Sequence, residues 1–336
     1  MIRLLLVWII VILTPFSAAV AQNRDVYTVR GIPVDEQAAS VIEARQAAFA
    51  KAKQMGARKM IERITLPEDR AEAGGIIVTP DLAEILAAAV DVEEEVAGAG
   101  RYRGKLAVVF NPANVRGFLE QNKILYNDQQ APLAIVMPLA RSDQEFAWNA
   151  AWPDQSQGQL APTVTSRASG FDVGVEWEDV NVEVALNGAK RAVLAELVGY
   201  PGAYRVNVSS VTPAGREDLA TTARVGTLKD AVQATGDLLD TAWKRSSVIR
   251  DDTRTLVEAT VLYTSLAEWN TLRGALARSP LVSDFQTQAV SRDGAVVDFV
   301  FAGDGQRLLS DLGNRGVAIS LEPIGWVMTS AVSTVR

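Results

Sequence analysis

The spacing of apolar residues divides the chain into an apolar leader and three units of mixed helices and strands. Helices are indicated where apolar residues recur at steps of three and four, and strands where they alternate with polar residues or form short runs. Along the 336 residues, these patterns predict a multidomain protein of mixed α+β and α/β class, with helices packed on small mixed sheets. The predicted units are residues 22–126, 127–250 and 251–336, and the leader comprises residues 1–21.

The first unit is predicted to have the order β-α-α-β-β-α. A strand at Val26–Gly31 precedes a long helix that runs from about Glu36 to Ile64, with Asp35 as its N-cap. Three alanines at helical spacing share one face of this helix: Ala44, Ala48 and Ala52. Because these side chains are small, we expect the helix to approach a sheet closely.

The central unit contains a buried strand followed by a helix with two tryptophans. The continuous apolar run Leu133–Met137 is typical of a strand covered on both faces, as in an α/β sheet. Ser142 is predicted to cap the next helix, in which Trp148 and Trp152 are four residues apart and share a face. Two interpretations of this pair stay open: packing in the core, or a surface that binds a partner protein or a glycan. The polar segment Arg245–Arg254 predicts the boundary to the last unit.

The C-terminal unit has the element order β-α-β-β-α-β, which predicts a ferredoxin-like domain. Ser265 and Glu268 form a capping box at the start of its first helix, and Asp293-Gly294 is a hairpin turn signal. Helical and strand periodicity predicts its core residues: Leu266, Trp269, Leu272, Leu276, Phe299, Leu309 and Leu312.

The leader has the three parts of a secretory signal peptide. A basic start at Met1–Arg3 is followed by the apolar run Leu4–Leu13 and by small residues at Ala19 and Ala21. The apolar run is shorter than the ~20 residues of a membrane span. We therefore expect cleavage near Ala21, a periplasmic location in a Gram-negative bacterium, and at most peripheral contact with the membrane.

Composition narrows the possible chemistry. The chain has no His and no Cys, which excludes the usual Ser-His-Asp and Cys-His catalytic groups and nearly all zinc, copper and haem sites. Its net charge of −7 argues against nucleic acid as a partner. Forty carboxylates make some close pair inevitable, so a pair by itself decides nothing. No catalytic residue, cofactor or metal site is predicted, and no oligomeric state is assigned.

Three segments carry residue patterns shared with a known family. They are the Ala-Arg-x-x-Ala pattern at Ala44–Ala48, the Phe110–Val115 stretch running into Pro132–Pro138, and the Trp269–Asp304 region with Ala-Gly-Asp-Gly at Ala302–Gly305. Together these segments resemble the proteobacterial exported family known as domain of unknown function 2066. The resemblance implies that the protein is exported. Because the family has no assigned activity, the resemblance assigns no functional residue.

Two hypotheses for function follow. The first is a non-catalytic protein of the cell envelope that binds another envelope protein as an assembly adaptor. The second is a periplasmic hydrolase or glycan-acting enzyme that uses two carboxyl groups. The second hypothesis requires a deep cleft in which two carboxyl groups face each other and one has a raised pKa.

The leader generates the first testable prediction. We expect the exported protein to begin near Gln22, because Ala19 and Ala21 give the small-x-small pattern that signal peptidase accepts. Intact-mass measurement of protein recovered from the periplasmic fraction checks this. Recovery of a chain that still carries Met1 would contradict it.

Overall fold

The computed structural model describes residues 26–248, 254–302, 305–323 and 325–331. Within these ranges there are nine helices and thirteen strands, and the strands form three sheets. This confirms the predicted mixed class. The predicted leader and residues 249–253 of the predicted boundary segment lie outside the described residues. No helix in the described ranges is long and apolar enough to cross a membrane.

The first sheet is a three-stranded antiparallel sheet of order β1-β3-β2. Its strands are β1 (Thr28–Gln37), β2 (Ala87–Gly98) and β3 (Arg101–Phe110). Its helices are α1 (Val41–Ile64), α2 (Pro67–Glu72), α3 (Pro80–Leu86) and α4 (Pro112–Gln121). The short helix α2 is an addition to the predicted order β-α-α-β-β-α.

The start of α1 differs from the prediction. Strand β1 continues to Gln37, which pairs with Arg101, so Asp35 and Glu36 belong to the strand. The helix begins at Val41, and the hydroxyl of Ser40 accepts a hydrogen bond from the backbone N–H of Glu43 at 3.2 Å. Asp35 was therefore the wrong N-cap, because strand pairing with β3 outweighs its local capping preference.

Small residues let α1 lie close to the first sheet, as the alanine stripe predicts. Ala44, Ala48 and Ala52 have no exposed surface. One turn further on, a Cβ atom added to Gly56 would lie 3.0 Å from Cδ1 of Ile32 on β1. Larger side chains on this face would push the helix away from the strands.

The central sheet has the order β5-β4-β6-β7-β8. Its strands are β4 (Ala134–Leu139), β5 (Thr163–Thr165), β6 (Arg191–Tyr200), β7 (Ala203–Thr212) and β8 (Gly215–Thr221), and its helices are α5 (Glu145–Ala151), α6 (Trp177–Leu186) and α7 (Leu228–Ser247). Strand β4 is parallel to β5 and β6, whereas β6, β7 and β8 are antiparallel. The buried pattern of β4 agrees with a strand covered on both faces.

The two faces of the central sheet belong to different hydrophobic clusters. Val136 of β4 and Trp148 of α5 are part of a large cluster that also contains the core of the first sheet. Ile135 of β4 and Val180 of α6 are part of a smaller cluster on the opposite face. The first and central sheets therefore share one continuous core, and α6 covers the other side of the central sheet.

Helix α7 makes polar contacts with both of the other units and within its own. Its Lys244 donates hydrogen bonds to the carbonyl oxygens of Glu62 and Thr65, both at 2.9 Å, at the C-terminal end of α1. The indole N–H of Trp243 donates to the carbonyl oxygen of Gln129 at 2.7 Å. At the end of α7 itself, the carbonyl oxygen of Ser246 accepts from Arg307 of the C-terminal unit at 2.7 Å.

The C-terminal unit contains a five-stranded sheet of order β10-β11-β9-β13-β12. Its elements are β9 (Arg254–Leu262), α8 (Leu266–Ala277), β10 (Val282–Val290), β11 (Gly294–Ala302), α9 (Gly305–Asn314), β12 (Val317–Glu322) and β13 (Gly325–Ser330). The predicted order β-α-β-β-α-β is present, and β13 adds a fifth strand. It pairs parallel to β9 and antiparallel to β12, so it lies between them.

The hydrophobic core of this unit is a separate cluster of buried residues, all of which lie between positions 257 and 328. It contains five of the predicted core residues: Trp269, Leu272, Leu276, Phe299 and Leu312. Leu266 is 68% exposed. Side chains of a helix point toward its N-terminus, so a residue in the first turn has no preceding turn to pack against. Leu309 is half-buried and lies outside the cluster, and Leu308 packs in its place.

The separate core generates the second prediction. We expect a fragment of residues 251–336 to unfold cooperatively, and Trp269→Ala to destabilise it by about 3–5 kcal/mol, since the buried ring leaves a cavity. Leu266→Ala, on the same helix but exposed, is the matched control and should change stability by less than about 0.5 kcal/mol. Denaturant unfolding measures both. Equal losses in the two variants, or a wild-type fragment without a transition, would contradict the core assignment.

Candidate functional site

The two tryptophans proposed as a possible partner-binding pair are buried between α5 and the central sheet. Trp148 has no exposed surface, and its indole N–H donates to the carbonyl oxygen of Ala195 at 3.0 Å. Trp152 is 5% exposed and packs edge-on against Trp148, with 5.2 Å between ring centroids. This burial favours the core-packing interpretation, because neither ring presents a surface to a partner.

The helix that carries them also begins later than predicted. Helix α5 starts at Glu145, and its N-cap residue is Gln144, whose side chain makes no capping hydrogen bond. Ser142 was therefore the wrong cap. Phe146, in the first turn of α5, is 88% exposed and is the large apolar residue that this helix presents to solvent.

The sheet topology creates a crevice at the carboxyl ends of the parallel strands. The chain leaves β4 toward α5 on one face of the sheet, and it leaves β5 toward α6 on the other face. Strand β4 lies between β5 and β6, so the two connections diverge next to it. In open α/β sheets, this divergence opens the crevice in which ligands bind.

A cleft of about 770 Å³ occupies this position. The loop after β4 and the first turns of α5 form one wall, through Ala140, Arg141, Glu145 and Asn149. The loop at residues 167–173 forms the second wall, and residues 196–200 at the end of β6 form the third. The cleft falls in the size range of small-molecule and peptide sites.

Arg167 fixes the cleft wall to the end of α5. Its guanidinium donates to the carbonyl oxygens of Asn149 at 2.7 Å and Trp152 at 2.9 Å, and it pairs with Asp154 at 2.8 Å. Carbonyl groups at the C-terminal end of a helix carry partial negative charge, so a cation stabilises them. Arg167 therefore holds the loop in place by contacts with three acceptors.

Two of the carboxyl groups in the cleft also have partners within the fold. Glu196 accepts a hydrogen bond from the side-chain amide of Asn207 at 2.9 Å. Asp172 accepts one from the backbone N–H of Gly174 at 2.7 Å. These contacts shape the walls and use part of the hydrogen-bonding capacity of both carboxylates.

The accessible apolar surface lies beside the cleft. Tyr200 is 66% exposed at the end of β6, and Val173 is 46% exposed on the facing loop. Gly199, just before the tyrosine, has a φ of +101°, and a Cβ there would lie 2.3 Å from the carbonyl oxygen of Ala203. Only glycine fits this turn, which presents Tyr200 to solvent. We call the cleft-lining residues Val173 and Tyr200, together with the exposed Phe146 in the first turn of α5, the apolar rim.

The enzymatic hypothesis requires a carboxyl group with a raised pKa that faces a second carboxyl group. Asp240 has a raised pKa, but no second carboxyl group is among the groups that shift it. Burial raises the pKa of Asp240 on α7 to about 6, and the backbone N–H of Ala161 donates to it at 2.8 Å. The charged groups that act on Asp240 are the cations Lys244 and Arg63. Among the described residues, no group of three or more acidic side chains is arranged to hold a metal ion.

Sequence patterns missed the residues that shape this site. Arg167 and Gly199 act on parts of the chain that the fold alone brings together. Phe146 had a signal: it lies two residues before Trp148, off the buried face of α5. An exposed aromatic residue on a helix that borders a cleft is a candidate contact for a partner.

Comparison with protein-family models and with curated proteins finds no match to this chain. The resemblance to the exported family therefore stays a prediction that rests on the residue patterns.

The position of Asp240 generates the third prediction. An unfolded aspartate titrates near ~3.9, whereas the folded pKa of Asp240 is about 6. Between these values the folded chain holds a proton that the unfolded chain has released. Stability should therefore fall as pH rises through this window, by on the order of 2 kcal/mol, and then level off.

Two matched variants isolate this effect. Asp240→Asn should remove the decline between pH 4 and 6, whereas Asp237→Asn, an exposed carboxyl one turn earlier on α7, should keep it. Denaturant unfolding at a series of pH values gives the comparison. A decline of the same size in both variants would show that Asp240 does not titrate in this window.

Proposed function

We propose that this chain is an exported, non-catalytic protein of the cell envelope that binds another envelope protein at the carboxyl-edge cleft. One observation carries the proposal: large apolar side chains are exposed beside the cleft, while Arg167, Asp172 and Glu196 in its walls are each engaged by contacts within the fold. A site built for catalysis directs polar groups at a reacting atom. A site built for association exposes aromatic and aliphatic side chains around a concave surface.

The chemistry of the rim fits a protein partner. Phe146 and Tyr200 are large and lose little conformational freedom on binding, which is why aromatic residues dominate binding hot spots. Arg167 and Gly199 hold the wall and the turn beside them. A preorganised rim lowers the entropy cost of association.

The envelope location rests on the leader. A basic start, an apolar run and two alanines at the expected spacing support export through the signal-peptide route. The separate core of the C-terminal unit supports an adaptor role, since this unit offers a surface of its own beside that of the first two units, which share one core. The resemblance to an exported family without assigned activity is consistent with both.

The enzymatic alternative would use the carboxyl groups of the same cleft, Glu145, Asp172 and Glu196. The hydrogen bonds that Asp172 and Glu196 accept from the fold favour a structural role for both. Binding is therefore the function that the geometry supports best.

Site-specific crosslinking in intact cells tests the proposal and is the fourth prediction. We expect photo-crosslinkers at positions 146 and 200 to capture the same envelope protein. Crosslinkers at Ile42 on α1 and Val182 on α6, which are also exposed and apolar but lie on elements that do not line the cleft, should not capture it. These two positions control for non-specific capture by exposed hydrophobic sites.

Affinity measured with the purified partner completes the test. Phe146→Ala and Tyr200→Ala should each weaken binding by about tenfold, the loss of a hot-spot side chain, without lowering the unfolding midpoint. Equal capture at the control positions, or an affinity unchanged by both substitutions, would refute binding at this rim.

A further inference from the structure

A second cleft lies at the opposite edge of the central sheet, where the parallel strands begin. Pro132 and Leu133 precede β4, and Lys190 precedes β6, and these residues line a cleft of about 550 Å³. Arg116 from the first unit and Arg278 and Arg315 from the C-terminal unit complete the wall. All three units therefore contribute to it.

The charge of this cleft is opposite to that of the whole chain. Four of its five charged lining residues are cationic: Arg116, Lys190, Arg278 and Arg315, with Asp128 as the exception. The chain as a whole carries a net charge of −7. Such a local excess of positive charge concentrates anions at the cleft.

Two of the four cations are already balanced by carboxylates. Arg116 pairs with Asp128 at 2.6 Å, and the hydroxyl of Tyr27 donates to the same carboxylate at 2.6 Å. Arg315 pairs with the buried Asp311 at 2.9 Å, and its guanidinium lies 5.7 Å from the centre of the Trp243 ring. These pairs form fixed walls.

The other two cations, Lys190 and Arg278, have no carboxylate partner among the described residues, and both are exposed. They belong to different units, and packing of the C-terminal unit brings them to one cleft. The contact is close: a Cβ added to Gly316 would lie 3.7 Å from Cδ of Lys190. Two unpaired cations thus face one cavity between fixed walls.

We propose that this amino-edge cleft binds a small molecule that carries at least two carboxylate or phosphate groups. Lys190 and Arg278 would each hold one anionic group through charge-assisted hydrogen bonds, the planar guanidinium of Arg278 in a bidentate manner. The cavity volume suits a small molecule and is too small for a folded partner. A bound ligand would bridge the central and C-terminal units and so stabilise their arrangement.

Calorimetric titration of the full-length protein tests this, with pyrophosphate and citrate as separate probes at constant ionic strength. We expect saturable binding of at least one probe and a rise in the unfolding midpoint with its concentration. The double variant Lys190→Gln/Arg278→Gln should bind that probe about tenfold more weakly or not at all. Both side chains are exposed, so the variant should fold, and its wild-type midpoint without probe confirms this.

The matched control is Lys229→Gln/Arg205→Gln, which removes the same charge from exposed residues that do not line the cleft. This control should bind like the wild type. Binding of pyrophosphate alone would assign a phosphate ligand, and binding of citrate alone a carboxylate ligand. No saturable binding of either probe, or equal weakening in both double variants, would overturn the proposal, because the attraction would then be absent or a property of net charge.

Discussion

Cations placed at helix C-termini of a neighbouring unit join the three units, in addition to the hydrophobic core that the first and central sheets share. The last carbonyl groups of a helix have no partner within it and carry partial negative charge. Lys244 of α7 supplies donors to the end of α1, and Arg307 of the C-terminal unit supplies a donor to the end of α7. Each contact supplies hydrogen-bond donors to the carbonyl groups at a helix terminus and also joins two units. Helix α7 takes part in both contacts and is therefore the element on which the other two units are positioned.

Burying Lys244 has a cost that explains its surroundings. Burial lowers the pKa of its ammonium group, because the charged form loses contact with water. Two carbonyl oxygens and the nearby carboxyl group of Asp240 compensate for that loss. Asp240 is itself held by the N–H of Ala161, so the loop before β5 is tied to the same cluster. Removing one charge from such a cluster leaves the other buried without compensation, which is more harmful than the absence of both.

Local signals in the sequence predict most elements, and long-range contacts decide the rest. The apolar run before Pro138 predicts β4, and the capping box at Ser265 marks the start of α8. The predicted cap at Asp35 fails because β1 gains pairing with β3, which lies about 70 residues further along the chain. The carboxyl-edge cleft follows from the pairing order of β5, β4 and β6, which no local pattern encodes. The rim residue Phe146 was recognisable from its helical phase alone, whereas Arg167 becomes interpretable only once α5 and its loop are placed together.

The two clefts differ in how the fold uses their polar groups, and this difference separates their roles. At the carboxyl edge, the end of α5 and Asp154 engage Arg167, and the exposed feature is the apolar rim. At the amino edge, Lys190 and Arg278 keep their charge uncompensated, so the accessible chemistry is cationic. The parallel strands β4 and β6 run from one cleft to the other across a fully packed core. Packed cores transmit displacement with little compression. The two clefts therefore lie at opposite ends of the same two rigid strands, and the chemistry of each is set by the loops and helices around the strand ends.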